Sequence, residues 1–370
     1  MKKIIIIVLL LGLLINNSGT KEEIEQRGIF ISYIELKEIL DNKSNKEQRQ
    51  AIIKMLNNLK NIKGNMIILQ VRANQDALYK SHIFPSMVSS NEDLLNVFLE
   101  ESHQRNIKVI AWINPYRVST TNKEIDKYSP LYQYKDTNII YRGQGVFLNP
   151  AKKETESLII QGVEEILEYN IDGLLMDDYF YPSDDIDKEE YETYKKDHKA
   201  ITLQEYHFQV INQMIKKVHS LCKQKGVKFG ISPDGNINNN LTKHYADIKT
   251  WLKEKDYVDF IMPQLYYGFY NSTQAYSKVL KEWETLLENE EIAFYVALAF
   301  YKVGVEDKYA NAGRKEWLEN DDIMMREILL SRNTKNYKGY ALFRYNYVFN
   351  NNLYTNNTEK ELKNMKKVIK

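Results

Sequence analysis

Cysteine, proline and glycine are scarce in this chain: one, seven and fifteen among 370 residues. A single thiol, Cys222, leaves no internal disulfide and no zinc site built on cysteines. No Pro-, Gly- or Ser-rich linker divides the sequence, and no repeat stands out beyond an alternation of short apolar runs with amphipathic stretches. An excess of one charge is missing too. Lysine plus arginine number 51 and aspartate plus glutamate 50, a formal net charge of +1. That balance removes the electrostatic argument for nucleic acid or for an anionic membrane surface. Several motifs are also absent. There is no GxxxxGKS/T phosphate loop and no GxSxG elbow, and the histidines (His82, His103, His198, His207, His219, His244) form neither HxxxH nor HExxH. P-loop nucleotide enzymes, serine hydrolases and histidine-built metal hydrolases are set aside, and no metal or cofactor is expected.

What is present in quantity is apolar and aromatic surface. Hydrophobic residues make up 43% and charged residues 27%, enough apolar material for a large core. Tyrosine is unusually frequent, 27 residues beside 13 phenylalanines and 4 tryptophans, which suits a surface touching sugars or other flat ligands of mixed polarity. A composition biased toward Lys, Asn, Ile and Tyr explains the same count.

The chain opens with Lys2-Lys3, an apolar run over 4–15 and the polar Asn16-Asn17-Ser18-Gly19. A basic head, a short apolar core and a small-residue exit read as a secretory signal. The run is shorter than the roughly 20 residues a membrane span needs. Residues 1–19 are therefore expected to direct export, with cleavage near Gly19 or retention as an N-terminal anchor as the two outcomes.

From residue 27 onward a single domain is expected to run to 370. Short apolar runs lie at 28–33, 66–71, 109–114, 173–179, 228–233, 259–265, 294–300 and 339–345. They are apolar without strict alternation, as parallel strands buried on both faces should be. Between them 48–62, 94–105, 154–169, 203–225 and 273–288 space Leu, Ile and Val at helical intervals. Eight βα units predict a (β/α)8 TIM barrel. An open doubly wound sheet would want a Gly-rich turn after its first strand, and here that strand runs into Ile34-Glu35-Leu36.

In such a barrel the site lies at the C-terminal strand ends. Those ends carry Arg72 with Asp76 and Tyr79 beyond it, Trp112-Ile113-Asn114-Pro115-Tyr116-Arg117, Asp177-Asp178-Tyr179, Asp234, Gln264 with Tyr266, and Arg344. Carboxylates, amides, guanidinium groups and aromatic rings on one rim are what a carbohydrate wants: hydrogen bonds for hydroxyls and flat faces for ring C–H groups.

These segments also resemble a known family. RGIFISYIEL, ILQVRANQDALYKS, VIAWINPYRV, GVFLNPAKKE, IDGLLMDDYFYP, FGISPDGN and DFIMPQLYYG, in this order, look like the family 10-like glycosyl hydrolases, exported bacterial proteins with a (β/α)8 barrel. The resemblance implies an exported glycoside hydrolase acting on a polysaccharide, with bacterial cell-wall glycan strands as one substrate class. This chain departs from the family in carrying Asp234 where an aromatic residue is usual, and Tyr206-His207-Phe208 where Trp-Arg-Arg is common.

Glycoside hydrolysis generally needs two carboxyl groups, one protonated and one ionised. Asp177 and Asp178 are the first candidates, with Asp234 on the next strand as a further one, although Gly235 and Asn236 also suit a plain turn there. Adjacent strand residues face opposite ways, so one of the pair should enter the lumen and the other brace the loop. The spacing IDGLLMD resembles the fourth strand of amylase-like barrels, which implies that Asp177 faces inward as nucleophile or base. Arg72, Arg117 and Arg344 suit bidentate clamping of polar groups or pairing with rim aspartates. Asp76, Asn114, Tyr179, Gln264 and Tyr266 complete the expected substrate contacts, and Trp112, two residues before Asn114, reads as core. The alternative function is a non-catalytic carbohydrate-binding barrel.

Overall fold

The structure is a computed structural model that describes residues 24–369 apart from 123, 126, 128 and 144, so the expected export segment 1–19 lies outside the described residues. In chain order the strands are β1 (Gln26–Ile31), β2 (Met66–Arg72), β3 (Lys108–Ile113), β4 (Arg117–Ser119), β5 (Ile139–Arg142), β6 (Gly145–Leu148), β7 (Gly173–Met176), β8 (Lys228–Ile231), β9 (Phe260–Ile261), β10 (Ala293–Leu298) and β11 (Tyr337–Leu342). Eight of them close a parallel barrel in the order β1-β2-β3-β7-β8-β9-β10-β11, with β11 pairing back onto β1 from Gln26↔Gly339 to Ile29↔Leu342. The expected (β/α)8 architecture is the one observed.

Alternation along each strand separates two cores. Phe30, Met66, Ile68, Ile110, Leu175 and Met262 fill the lumen. Their neighbours Ile29, Ile31, Ile67, Leu69, Val109 and Leu174 point outward against the helical layer. Burial on both faces is why the strands read as continuous apolar runs. Helices Asn45–Asn61, Leu94–His103, Lys153–Ile166, Leu203–Gln224, Tyr276–Leu286, Ile323–Ser331 and Thr358–Val368 supply the outer layer. Ser44 and Thr202 start two of them with reciprocal capping boxes to Glu47 and Glu205.

Two features differ from the sequence reading. An antiparallel sheet, β4-β6-β5, is inserted between the third and fourth barrel strands. Its strands of three and four residues are too short to show a periodicity. The barrel strands also stop earlier than expected: β7 ends at Met176, β8 at Ile231 and β9 at Ile261. Pro233 and Pro263, just beyond two of these ends, have no N–H to extend a ladder. The residues after the strand ends are therefore free of strict alternation, and this decides how the mouth is built.

Candidate active site

At the C-terminal mouth of the barrel is a pocket of about 240 Å3, walled by Gln70, Trp112, Asp177, Asp178, Tyr266 and Arg344 among others. It is smaller than the roughly 300–1,000 Å3 usual for drug-sized ligands, which suits one sugar ring held between the rims of a chain. A more open hollow of about 500 Å3 lies beside helix Lys188–Asp197, around Tyr194 and Tyr206. It has no pair of buried carboxyl groups.

Asp177 sits at the pocket floor, 4% exposed. The Trp112 indole Nε1–H donates to its Oδ2 at 3.0 Å, and the Asn114 amide donates to Oδ1 at 3.2 Å. Asn114 is itself fixed, since its Oδ1 accepts from the Arg117 backbone N–H at 2.9 Å. Burial raises the Asp177 pKa, against the charge of Arg117 and the donors on Trp112 and Asn114. Asp178 lines the same pocket. Its pKa is pushed up to about 7 by burial first and by the neighbouring Asp177 charge second, partly offset by His244 and by a hydrogen bond from Gln264. Two carboxylates this close, one buried and one half-buried, do not both ionise at neutral pH. Donors favour the charged form, so the negative charge belongs on Asp177 and the proton on Asp178.

The expectation that these neighbours face opposite ways is therefore corrected. The β-pairing ends at Met176, so the alternation holds through Asp177 and is released before Asp178, which turns into the same pocket.

Asp234 lies next to them. Its Oδ1 accepts from the Asn236 N–H at 2.7 Å, its Oδ2 accepts from the Asn239 amide at 2.9 Å, and His244 Nε2 is 3.6 Å from Oδ2. Burial acts to raise its pKa, but His244 and these donors outweigh burial and hold it below the usual carboxylate range. It stays ionised, which makes it a poor proton donor. Gly235 is required beside it, because a Cβ there would come within 2.3 Å of the Gln264 carbonyl oxygen. Asp178, Asp234 and His244 each bring one ligand-capable atom within 4.8 Å of the others. The donors already on Asp234 make this a hydrogen-bonded network rather than a free ligand set.

The remaining candidates divide. Arg117 reaches the pocket and stacks 5.2 Å from the centre of the Tyr179 ring, which is half exposed at the rim. Gln264 lines the pocket and donates to the Ser232 carbonyl at 3.0 Å. Tyr266 forms a wall, its ring edge-on to Tyr301 and tilted against Phe343. Arg344 lines the opposite wall, paired with Glu35 and donating to Ser32 Oγ at 3.2 Å. Three candidates do not reach the pocket. Arg72 is fully buried outside the lumen, its guanidinium 4.7 Å from the Phe84 ring centre and packed on Gly162. A register shift between Gln70 and Arg72 turns it away from the mouth. Asp76 accepts from the backbone N–H groups of Ala73 and Asn74 and braces the loop. Asn114 lies beneath Asp177 and positions it.

Sequence reasoning places Gln70 and Ser232 at strand ends without giving them a role, and it leaves out Ser32 with Glu35 and His244. Gln70 was readable, since it continues the inward face of Met66 and Ile68. Glu35 also had a signal: Ser32-x-x-Glu35 is a capping box at the start of helix Tyr33–Leu40, and it brings a buried carboxylate to Arg344. Nothing local marks His244, which arrives through the loop after helix Ile237–Thr242.

Comparison with known proteins bears on the family and on the fold. The chain is 30% identical over 332 residues to the glycosyl hydrolase YngK of Bacillus subtilis (strain 168), covering 80% of this chain and 63% of that protein. It is 30% identical over 341 residues to the glycosyl hydrolase DigH of Escherichia coli (strain K12), covering 81% of this chain and 76% of that one. The chain thus spans less than two thirds of the length of the B. subtilis relative. Among solved structures, the PgaB (BpsB) glycoside hydrolase domain of Bordetella bronchiseptica superposes with a TM-score of 0.56 at 12% identity. That match covers 92% of this chain and 99% of that domain, and at such identity it shows a shared barrel. Residues 25–317 match the family described as glycosyl hydrolase-like 10, and the chain belongs to that family.

Proposed function

We propose that this barrel hydrolyses O-glycosidic bonds of a polysaccharide outside the cytoplasm, with bacterial cell-wall glycan strands as its substrate. The observation that carries the reading is the pair Asp177 and Asp178 in one ring-sized pocket, the first buried and surrounded by donors, the second half-buried with its pKa pushed up to about 7. Asp178 protonates the leaving oxygen. Asp177 provides the negative charge that opposes the oxocarbenium-like centre at the anomeric carbon. Tyr266 and Tyr179 offer ring faces, and Arg117, Gln264 and Arg344 offer donors to hydroxyl or carboxylate groups. The cell-wall substrate is supported by the family resemblance, and export by the basic–apolar–polar pattern of residues 1–19. Among the described residues no helix is long and apolar enough to cross a membrane.

The test is incubation of the purified chain with a panel of glycans that includes cell-wall strands stripped of peptide, with products read by mass. Cleavage that disappears in Asp178→Asn supports the proposal. Binding without turnover across the panel would leave a carbohydrate-binding barrel instead.

A further inference from the structure

We infer that the pocket takes a sugar bearing a 2-acetamido group, and that the carbonyl oxygen of this group, rather than a protein carboxylate, attacks the anomeric carbon. The inference rests on the hydrolase reading above and specifies its chemistry.

The first observation is where the carboxylates are. Among the residues lining the pocket, only Asp177 and Asp178 carry them, and both come from one strand end. In a double displacement through a glycosyl-enzyme, the nucleophile approaches from the face opposite the leaving oxygen, roughly 5–5.5 Å from the acid. Across the pocket from β7, at the ends of β1 and β11, the nearest carboxylate is Glu35. It is fully buried and already accepts from Ser32, Arg344 and the Asn346 N–H. Asp234 is likewise occupied, by Asn236 and Asn239. No free carboxylate among the described residues stands opposite Asp178.

The second observation is the floor. Asp177 is held in place from below by Trp112 and Asn114, with Asn114 locked by Arg117, which fixes an anionic acceptor rather than a side chain free to swing toward carbon. Beside it the rings of Phe30 and Trp112 meet edge to face, 5.5 Å between centres, and both line the pocket. A fixed acceptor next to an apolar floor complements an acetamide, with its N–H on Asp177 and its methyl on the rings. Ser232 supplies a third element: its Oγ is buried in the pocket wall with no hydrogen-bond partner among the described residues, and a sugar hydroxyl would give it one.

The reaction then runs in two steps. Asp178 gives its proton to the glycosidic oxygen as the C1–O bond breaks, while the acetamido oxygen bonds to C1. The resulting oxazolinium ion keeps its N–H on the Asp177 carboxylate. Water next loses a proton to Asp178 and adds to C1, and the bond from C1 to the acetamido oxygen breaks, restoring the amide. One water is consumed, one glycosidic bond is lost, and the anomeric configuration is retained.

The decisive probe is the thiazoline analogue of N-acetylglucosamine, which mimics the bicyclic intermediate and needs no turnover to be read. Calorimetry should show it binding at least about 100-fold tighter than N-acetylglucosamine itself, as intermediate mimics do, with that advantage lost in Asp177→Asn at an unchanged melting temperature. A glycan whose acetamido groups are replaced by hydroxyls loses the internal nucleophile, and turnover should fall by roughly 1,000-fold or more. Equal binding of the thiazoline and the parent sugar would overturn the inference, as would inversion of configuration or a covalent adduct on Asp177 detected by mass. Turnover with inversion would refute this step and leave the hydrolase reading standing. Tight thiazoline binding with no turnover on any glycan would refute the hydrolase reading and leave the acetamido site.

Discussion

Asp178→Asn separates stability from catalysis, and its sign follows from the burial of one carboxyl group. In the folded chain the Asp178 pKa lies at about 7, against an ordinary value of 3.8. Folding therefore favours the protonated form. Its contribution to stability is complete below about pH 4 and is lost as pH rises through about 7, because burial and the Asp177 charge oppose ionisation. Each pKa unit corresponds to about 1.4 kcal/mol, so a gap of roughly three units bounds the cost at pH 8 near 4 kcal/mol. Relaxation and the sharing of one proton with Asp177 reduce it, and about 2–4 kcal/mol is the expected range. Asparagine has nearly the shape of the protonated acid and cannot ionise. Asp178→Asn should match the parent at pH 4 and exceed it at pH 8 by that amount, while hydrolysing no glycan. Urea unfolding followed by tryptophan fluorescence at the two pH values measures the first part, and product release measures the second. A variant less stable than the parent at pH 8 would show that the carboxylate braces the loop and would remove the basis for making it the proton donor.

Asp177→Asn removes the charge opposite the reacting carbon, and turnover should fall about 10²–10³-fold with the melting temperature nearly unchanged; near-normal rates would end its assignment. Asn114→Ala takes one donor from a buried carboxylate at a cost of about 1.5–3 kcal/mol; it should lower turnover, and because losing that donor pushes the Asp177 pKa further up, the variant should lose more stability than the parent as pH rises, which a pH series of unfolding curves reads. Arg72→Met should leave turnover unaltered, since the guanidinium packs on Phe84 and Gly162 away from the pocket; a large loss of activity would mean that it reaches the substrate. Glu327 is fully buried, neither oxygen is hydrogen-bonded among the described residues, and burial holds its pKa well above the ordinary range. Glu327→Gln should therefore stabilise the chain increasingly as pH rises above about 4.5, measured by unfolding between pH 4 and pH 8.

The sequence by itself determined the barrel. Runs such as Met66–Leu69, apolar on both faces, have no stable place except between a packed lumen and a helical layer, and eight of them with intervening amphipathic helices close on themselves. It also pointed to the candidate site around Asp177, because polar residues gather where the apolar runs stop. Which of those polar groups share one pocket was decided by the tertiary structure. Alternation holds only inside a paired ladder, and the ladders stop at Met176 and Ile231 and shift register at Gln70. Beyond these points local geometry turns Asp178 inward beside Asp177 and sends Arg72 outward against Phe84. The pairings that set charge are longer still in sequence: Trp112 and Asn114 reach Asp177 across more than sixty positions, and Arg344 reaches Glu35 across more than three hundred. Closure of the barrel, which joins β11 to β1, brings that last pair together, and no local pattern encodes it.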